Sequence, residues 1–149
     1  MFHDNLRTPA AVLMLLVFTL LGAATVAVAA DEPGAEGAPL FINLITDDPH
    51  RADMALSFGK NQLAQGHPLT VFLNDRGVYI AAKQGAERFG RHQAMIAELQ
   101  TAGAKFIVCP MCMKQYGVAK SDLLEGLEVG NPVVTGEALF APNTRTLTW

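Results

Sequence analysis

Cys109 and Cys112 are the only cysteines of this chain, and they fall in the run Cys109-Pro110-Met111-Cys112-Met113, directly after the apolar segment Phe106-Ile107-Val108. A thiolate, not a thiol, is the nucleophile and the metal ligand. A strand-to-helix junction favours thiolates through its free backbone N–H groups and the positive end of the helix dipole. With Val108 closing a strand and Pro110 as the first helical residue, Cys109 takes the N-cap position. Its sulfur then faces the N–H groups of Met111 and Cys112, and the expected result is a thiol pulled from a pKa of about 8.5 toward neutrality. Cys112 follows one turn later, within reach of Cys109 for a disulfide or a shared metal. Three chemistries suit the pair: sulfur carried as a persulfide, dithiol–disulfide exchange, and Cu(I) binding by Cys109 and Cys112 with Met111 or Met113 as further soft ligands. The plain alternative is an inert, buried pair. A structural zinc site needs a second cysteine pair or nearby histidines, and His50, His67 and His92 all lie far away in sequence.

Other residues could share a site with the cysteines. Asn74 and Asp75 are turn formers first and substrate-binding candidates second. Tyr116 could pack over the thiol or hydrogen-bond a bound sulfur species. Asp47, Asp48 and His50 could reach the same rim, although Asp48 before Pro49 already reads as a helix cap. Met54, Met95 and Phe58 are expected in the core, His92 half-buried on its helix, and Trp149 at the end of the last strand or at a subunit contact. The chain has no Gly-rich phosphate loop, nucleophile elbow or H-E-x-x-H motif.

The elements that would position these residues alternate in type. Leu40 to Ile45 reads as a strand ended by Thr46-Asp47-Asp48-Pro49. Ala52, Ala55, Leu56, Gly59 and Leu63 then repeat at helical spacing up to Gly66. Leu69 to Leu73 is a second strand, followed by the turn Asn74-Asp75-Arg76-Gly77, and Val78 to Lys83 could be a short helix. His92, Met95, Ile96 and Leu99 mark another helix that stops at Gly103, and Lys105 to Val108 is the third strand. Asp122 and Glu125 look like a capping pair for a short helix through Leu123 and Leu124. Val133-Val134-Thr135 and Arg145 to Trp149 supply the remaining strands. Strands alternating with helices imply parallel pairing and right-handed crossovers, hence a three-layer α/β sandwich with a mostly parallel sheet of about five strands. Chemistry in such sheets gathers beyond the carboxyl ends of the strands. The loops 46–50, 74–77 and 109–113 therefore qualify for one rim.

The amino-terminal part has a different character. Ala10 to Ala30 carries no charge, Arg7 precedes it, Asp31 and Glu32 follow it, and Ala27-Val28-Ala29 has the small-x-small pattern of signal-peptidase sites. Residues 1–30 read as a secretory signal or, if retained, as a membrane anchor. Either way the charge bias places the remainder outside the cytoplasm, in the periplasm where the source has two membranes. Residues 31–39 read as a flexible linker. The whole chain has 11 Lys and Arg against 14 Asp and Glu, a net charge of −3, and no basic cluster, which argues against nucleic acid as a partner.

The strand ending near Asp47-Asp48, the strand ending in Asn74-Asp75 with Gly77-Val78, and Phe-Ile-Val-Cys-Pro-Met-Cys-Met-Lys-Gln-Tyr-Gly-Val over 106–118 together resemble the DsrE/DsrF-like family. Its members place a cysteine eight residues before a glycine, often with a second cysteine three residues on, and Cys109, Cys112 and Gly117 match that spacing. The resemblance covers 40–149 and implies a flavodoxin-like α/β domain assembled as a homotrimer or homohexamer. It further implies sulfur carried as a persulfide on Cys109, with Cys112 as a second or resolving thiol, and no cofactor. Expected partners are a sulfur donor or acceptor protein or a small sulfur compound, for a carrier or a sulfurtransferase. The competing expectations are an extracytoplasmic Cu(I) module and an interaction subunit whose cysteines form a passive disulfide.

Overall fold

The computed structural model describes residues 37–149, so the segment read as signal or anchor (1–30) and the first part of the linker (31–36) lie outside the described residues. Five strands and four helices alternate: β1 (Leu40–Leu44), α1 (Pro49–Ala64), β2 (Leu69–Leu73), α2 (Ala86–Thr101), β3 (Lys105–Val108), α3 (Pro110–Tyr116), β4 (Glu128–Val129), α4 (Pro132–Leu139) and β5 (Arg145–Thr148). The strands form one parallel sheet in the order β4-β3-β2-β1-β5. This is the expected α/β sandwich. Register aligns Leu44 with Leu73, Leu73 with Val108 and Val108 with Val129. The loops that follow these strands consequently emerge along one rim, as the alternation predicts.

One face of the sheet is closed by α1 and α2. Ala52, Ala55, Leu56 and Gly59 of α1 and Phe89, Ile96 and Leu99 of α2 are buried against Ile42, Leu44, Val71, Leu73, Phe106 and Val108. Each fully buried Leu or Ile contributes on the order of 1.5–3 kcal/mol. Gly59 lets α1 approach the sheet: a Cβ there would stand 2.9 Å from the Leu69 side chain and 3.1 Å from that of Ile42. The other face carries Thr70, Lys105 and Ile107 and is covered by α4, across a cavity of about 300 Å3. No residue of α4 is buried, and every residue of β5 is exposed. At the described end of the linker, Arg145 N–H donates to Pro39 O and His67 Nδ1 bonds Ala38 O.

Several local expectations are corrected. Val133-Val134-Thr135 is not a strand but the first turns of α4, because Asn131 caps it through Oδ1 and Pro132 opens it. The fourth strand is Glu128–Val129 instead. No helix forms through Leu123 and Leu124. Leu123 pairs with Ala82 in an isolated antiparallel bridge, and a one-turn 3-10 helix over Lys120–Asp122 precedes it. The helical turn expected over 78–83 comes earlier, as a 3-10 helix at Asp75–Tyr79, after which Ile80, Ala81 and Ala82 are buried. Met54 and Phe58 are surface residues, because they lie on the side of α1 away from the Ala52–Leu56 stripe; Phe58 there packs on Trp149 with ring centres 5.7 Å apart. His92 is buried rather than half-buried, and its Nε2 bonds Pro49 O at 2.8 Å.

Candidate functional site

The cysteine pair sits where β3 passes into α3. Val108 is fully buried at the strand's end, Cys109 has extended backbone at the N-cap, and Pro110 opens the helix. Cys109 Sγ accepts the Cys112 N–H at 3.4 Å, and Cys109 N–H donates to Leu73 O at 3.0 Å, which ties the cysteine to the neighbouring strand. Gly117 ends the helix with φ +70, a conformation that favours glycine. Both cysteines are free and half-buried, so neither sulfur is sealed in the core.

The loop after β2 closes on Cys112. Its Sγ accepts the Asp75 N–H at 3.1 Å, and Asp75 holds a left-handed φ of +45 to present it. Tyr116, one turn beyond Cys112, donates its hydroxyl to Asp75 Oδ1. Tyr116 also packs on Tyr79 with ring centres 5.4 Å apart, and the Arg76 guanidinium lies 5.7 Å over the Tyr79 ring. Asn74 points elsewhere: its amide donates to Asn43 Oδ1 at the end of β1. Asp75 and Tyr116 are thus brought to the thiols, whereas Asn74 braces the turn that presents Asp75.

Burial pushes the Cys112 thiol above its ordinary value. The hydrogen bond with Cys109 and the charges of Cys109 and Asp75 add to this, against the Asp75 N–H. Desolvation and the acidic neighbour outweigh the single amide donor of Cys112. The Asp75 carboxylate likewise raises the Tyr116 hydroxyl.

A second cluster borders this one, and of its members the sequence pointed only to Asp47 as a rim residue. The buried Asp47 carboxylate receives Arg76 in bidentate fashion (Nε at 2.7 Å, Nη2 at 2.8 Å) and Arg88 Nη1 at 3.1 Å, while Arg88 Nη2 reaches the Asp47 carbonyl at 2.8 Å. The Arg76 hydrogen bond, with the charges of Arg76 and Arg88, outweighs burial and holds the Asp47 carboxyl below its usual range. The three residues come from three elements, and no spacing rule connects positions 47, 76 and 88. Asp48 does what its place before Pro49 suggested, accepting Arg51 N–H at 2.8 Å, and His50 is exposed beside it.

The two methionines of the motif separate. Met111 stands 81 % exposed and Met113 is buried in the core, so only Met111 lies on the open side of the pair. Among the described residues no group of three or more His, Cys, Asp or Glu could hold a metal ion.

Comparison with known proteins agrees with this architecture. Residues 40–139 match the model of the DsrE/DsrF-like family. The chain is similar to an uncharacterized protein, MJ0989, of Methanocaldococcus jannaschii, with 32% identity over 93 residues spanning 60% of this chain and 82% of that one. It is similar also to the uncharacterized protein MK0008 of Methanopyrus kandleri, with 28% identity over 63% of this chain and 81% of that one. Among solved structures, MTH1491 of Methanobacterium thermoautotrophicum, a protein of unknown function, superposes with a TM-score of 0.63 at 19% identity, over 74% of this chain and 98% of that one. The ychN protein of E. coli superposes with a TM-score of 0.56 at 16% identity, over 74% and 99%.

Proposed function

The chain belongs to the DsrE/DsrF-like family, and from that premise we propose that it is an exported sulfur-binding and sulfur-transfer protein that carries sulfane sulfur on Cys109. The observation that carries the reading is the free, half-buried pair at the strand-to-helix junction. There Cys109 Sγ takes an amide N–H of the first turn of α3, and Cys112 stands one turn away. Loaded as Cys109–S–SH, the protein passes its outer sulfur to an acceptor thiol, R–SH, giving R–S–SH and Cys109–SH with no net oxidation. When no acceptor is present, Cys112 resolves the persulfide. Its sulfur bonds to that of Cys109, the outer sulfur leaves as hydrogen sulfide with both protons, and the resulting disulfide is reopened by an external dithiol.

The raised Cys112 thiol supports this division of labour, because a resolving thiol that stays protonated does not discharge the persulfide early. Export rests on the uncharged run Ala10 to Ala30 and its flanks. Assembly as a homotrimer or homohexamer is part of the proposal. Phe140 and Val133 on the thinly covered α4 side, 82 % and 65 % exposed, are the kind of apolar surface that a second copy covers.

Intact mass tests the central claim. After incubation with polysulfide, the protein should gain sulfur increments located on Cys109, and absence of any adduct rejects the reading. The exposure of Met111 beside two free thiols favours one alternative, a Cu(I) module using Cys109, Cys112 and Met111. Cuprous titration of the reduced protein that gives tight, cysteine-dependent binding and no sulfur adduct would favour it.

A further inference from the structure

The cluster of Asp47, Arg76 and Arg88 opens on a cavity of about 440 Å3, lined also by Tyr79, Gln84 and Gly85 and by no cysteine. Its arginines are fixed before any ligand arrives. The Asp47 carboxylate, only 12% exposed, takes Arg76 through Nε and Nη2 and Arg88 through Nη1, and the Asp47 carbonyl takes Arg88 Nη2. Each guanidinium also lies on an aromatic ring, Arg76 at 5.7 Å from the centre of Tyr79 and Arg88 at 4.9 Å from that of Phe89. The wall between them is tight: a Cβ on Gly85 would stand 2.6 Å from Tyr79 O.

These contacts leave donors over. Of the five N–H groups of each guanidinium, two go to Asp47 and three meet no acceptor among the described residues. The side chains are 53% and 54% exposed, so the spare donors are open to a ligand. Two guanidinium charges against one carboxylate leave one positive charge, and no other lining residue is charged. A single negative charge is matched there. A dianion such as hydrogen phosphate leaves one charge unmatched beside the buried Asp47.

Geometry selects in the same direction. Arg76 already holds one carboxylate by its fork, and a guanidinium fork matches the planar oxygen pair of another. The volume is that of a small-molecule site. We infer that this cavity binds a small monocarboxylic acid, whose carboxylate takes the spare N–H groups of Arg76 and Arg88. The site goes beyond the sulfur-carrier reading and does not rest on it, since neither thiol takes part. Asp47 is its internal anchor: it holds both forks in place and neutralises only one of them.

The test is an NMR titration of the isotope-labelled full chain in a buffer free of carboxylates. Acetate and benzoate should shift the Nε–H signals of Arg76 and Arg88 saturably. The half-saturating concentration read at Arg76 should rise about tenfold in Arg88→Gln, the loss of one charge-assisted contact. Arg88→Lys keeps the charge but not the fork and should also bind more weakly. The wild-type titration stands even where neither variant folds. Lys105→Gln removes a positive charge at the amino end of β3, away from this cavity, and should bind as wild type does. Shifts that fail to saturate with either acid, half-saturation unchanged in both Arg88 variants, or equal weakening in Lys105→Gln overturns the inference. So does phosphate binding more tightly than both acids at neutral pH. A response only to a short peptide with a free carboxyl terminus, and not to its amide or to either acid, also overturns it and makes the cavity a seat for a protein terminus. None of these outcomes touches the sulfur-carrier reading, which polysulfide loading of Cys109 decides separately.

Discussion

The chain builds the same backbone device at the ends of β1 and β3 and finishes it with a different atom. Asp48 has φ −71 and ψ 120, and Cys109 has φ −69 and ψ 114; each precedes a proline that opens a helix. Each side chain accepts the N–H three residues on, oxygen from Arg51 at 2.8 Å and sulfur from Cys112 at 3.4 Å. An oxygen there closes a helix end and has no further chemistry. A sulfur is a weaker acceptor, and in the proposed function it is also the atom that carries the transferred sulfur. The junction is therefore a structural part at one loop and, under the proposed function, a reactive group at the next, decided by one side chain.

The sharpest way to break that contrast is to put oxygen at the second junction. Cys109→Ser should lose all sulfur loading from polysulfide, read by intact mass. Its stability in urea should stay within about 1 kcal/mol of wild type, because serine is a strong N-cap. A variant that unfolds would mean that the Cys109 sulfur holds the fold rather than the chemistry.

Asp47, next to Asp48, shows what a carboxylate does when it pairs with arginines and not with a helix end. Its pKa is held below the ordinary 3.8, so its contribution is whole above that value and fades as pH falls through the lower folded value. Asp47→Asn should cost about 2 kcal/mol at neutral pH, the scale of a charge-assisted network. Part of the acid-induced loss of stability below about pH 4 should disappear in that variant. Denaturant titrations at neutral and acid pH check both statements, and a variant with an unchanged acid limb would show that the two arginines do not bias the carboxyl.

The caps themselves come next in size. Asp48→Ala should cost about 1 kcal/mol in global unfolding, since α1 carries core residues that depend on it. Asn131 accepts two N–H groups, at 2.9 and 3.0 Å, yet α4 buries no residue. Asn131→Ala should leave the global unfolding midpoint almost unmoved and instead speed amide exchange within 132–139, as local opening does. This pair also marks the limit of what the sequence disclosed. Asp48-Pro49 could be read because an amphipathic stripe follows it. Asn131-Pro132 has the same form, but the β-branched run Val133-Val134-Thr135 after it suggested a strand, and without a buried face no periodicity corrected that. The two-residue β4 is too short to leave a pattern. Cys109 could be placed at its N-cap from local spacing alone. Arg76 and Arg88 reach Asp47 across 29 and 41 positions, a relation created only by the sheet register.

The smallest effect concerns Cys112, which stands at the third helical position of the sulfur junction, where Arg51 stands in the oxygen one. Its thiol lies above the ordinary 9.0, through burial first and then through Cys109 and Asp75. A raised folded value favours the protonated thiol, so this contribution to stability is present below the unfolded pKa and is lost as pH climbs through the folded one. Asp75→Asn removes the charge while keeping the backbone N–H on Cys112 Sγ, and asparagine tolerates the left-handed φ of +45 at that position. Alkylation of Cys112 by iodoacetamide near pH 8, followed by peptide mass, should then accelerate, because removing the neighbouring negative charge enlarges the thiolate fraction. Equal rates in the two proteins would assign the restraint on Cys112 to burial and to Cys109, leaving Asp75 as a backbone donor whose carboxylate serves only Tyr116.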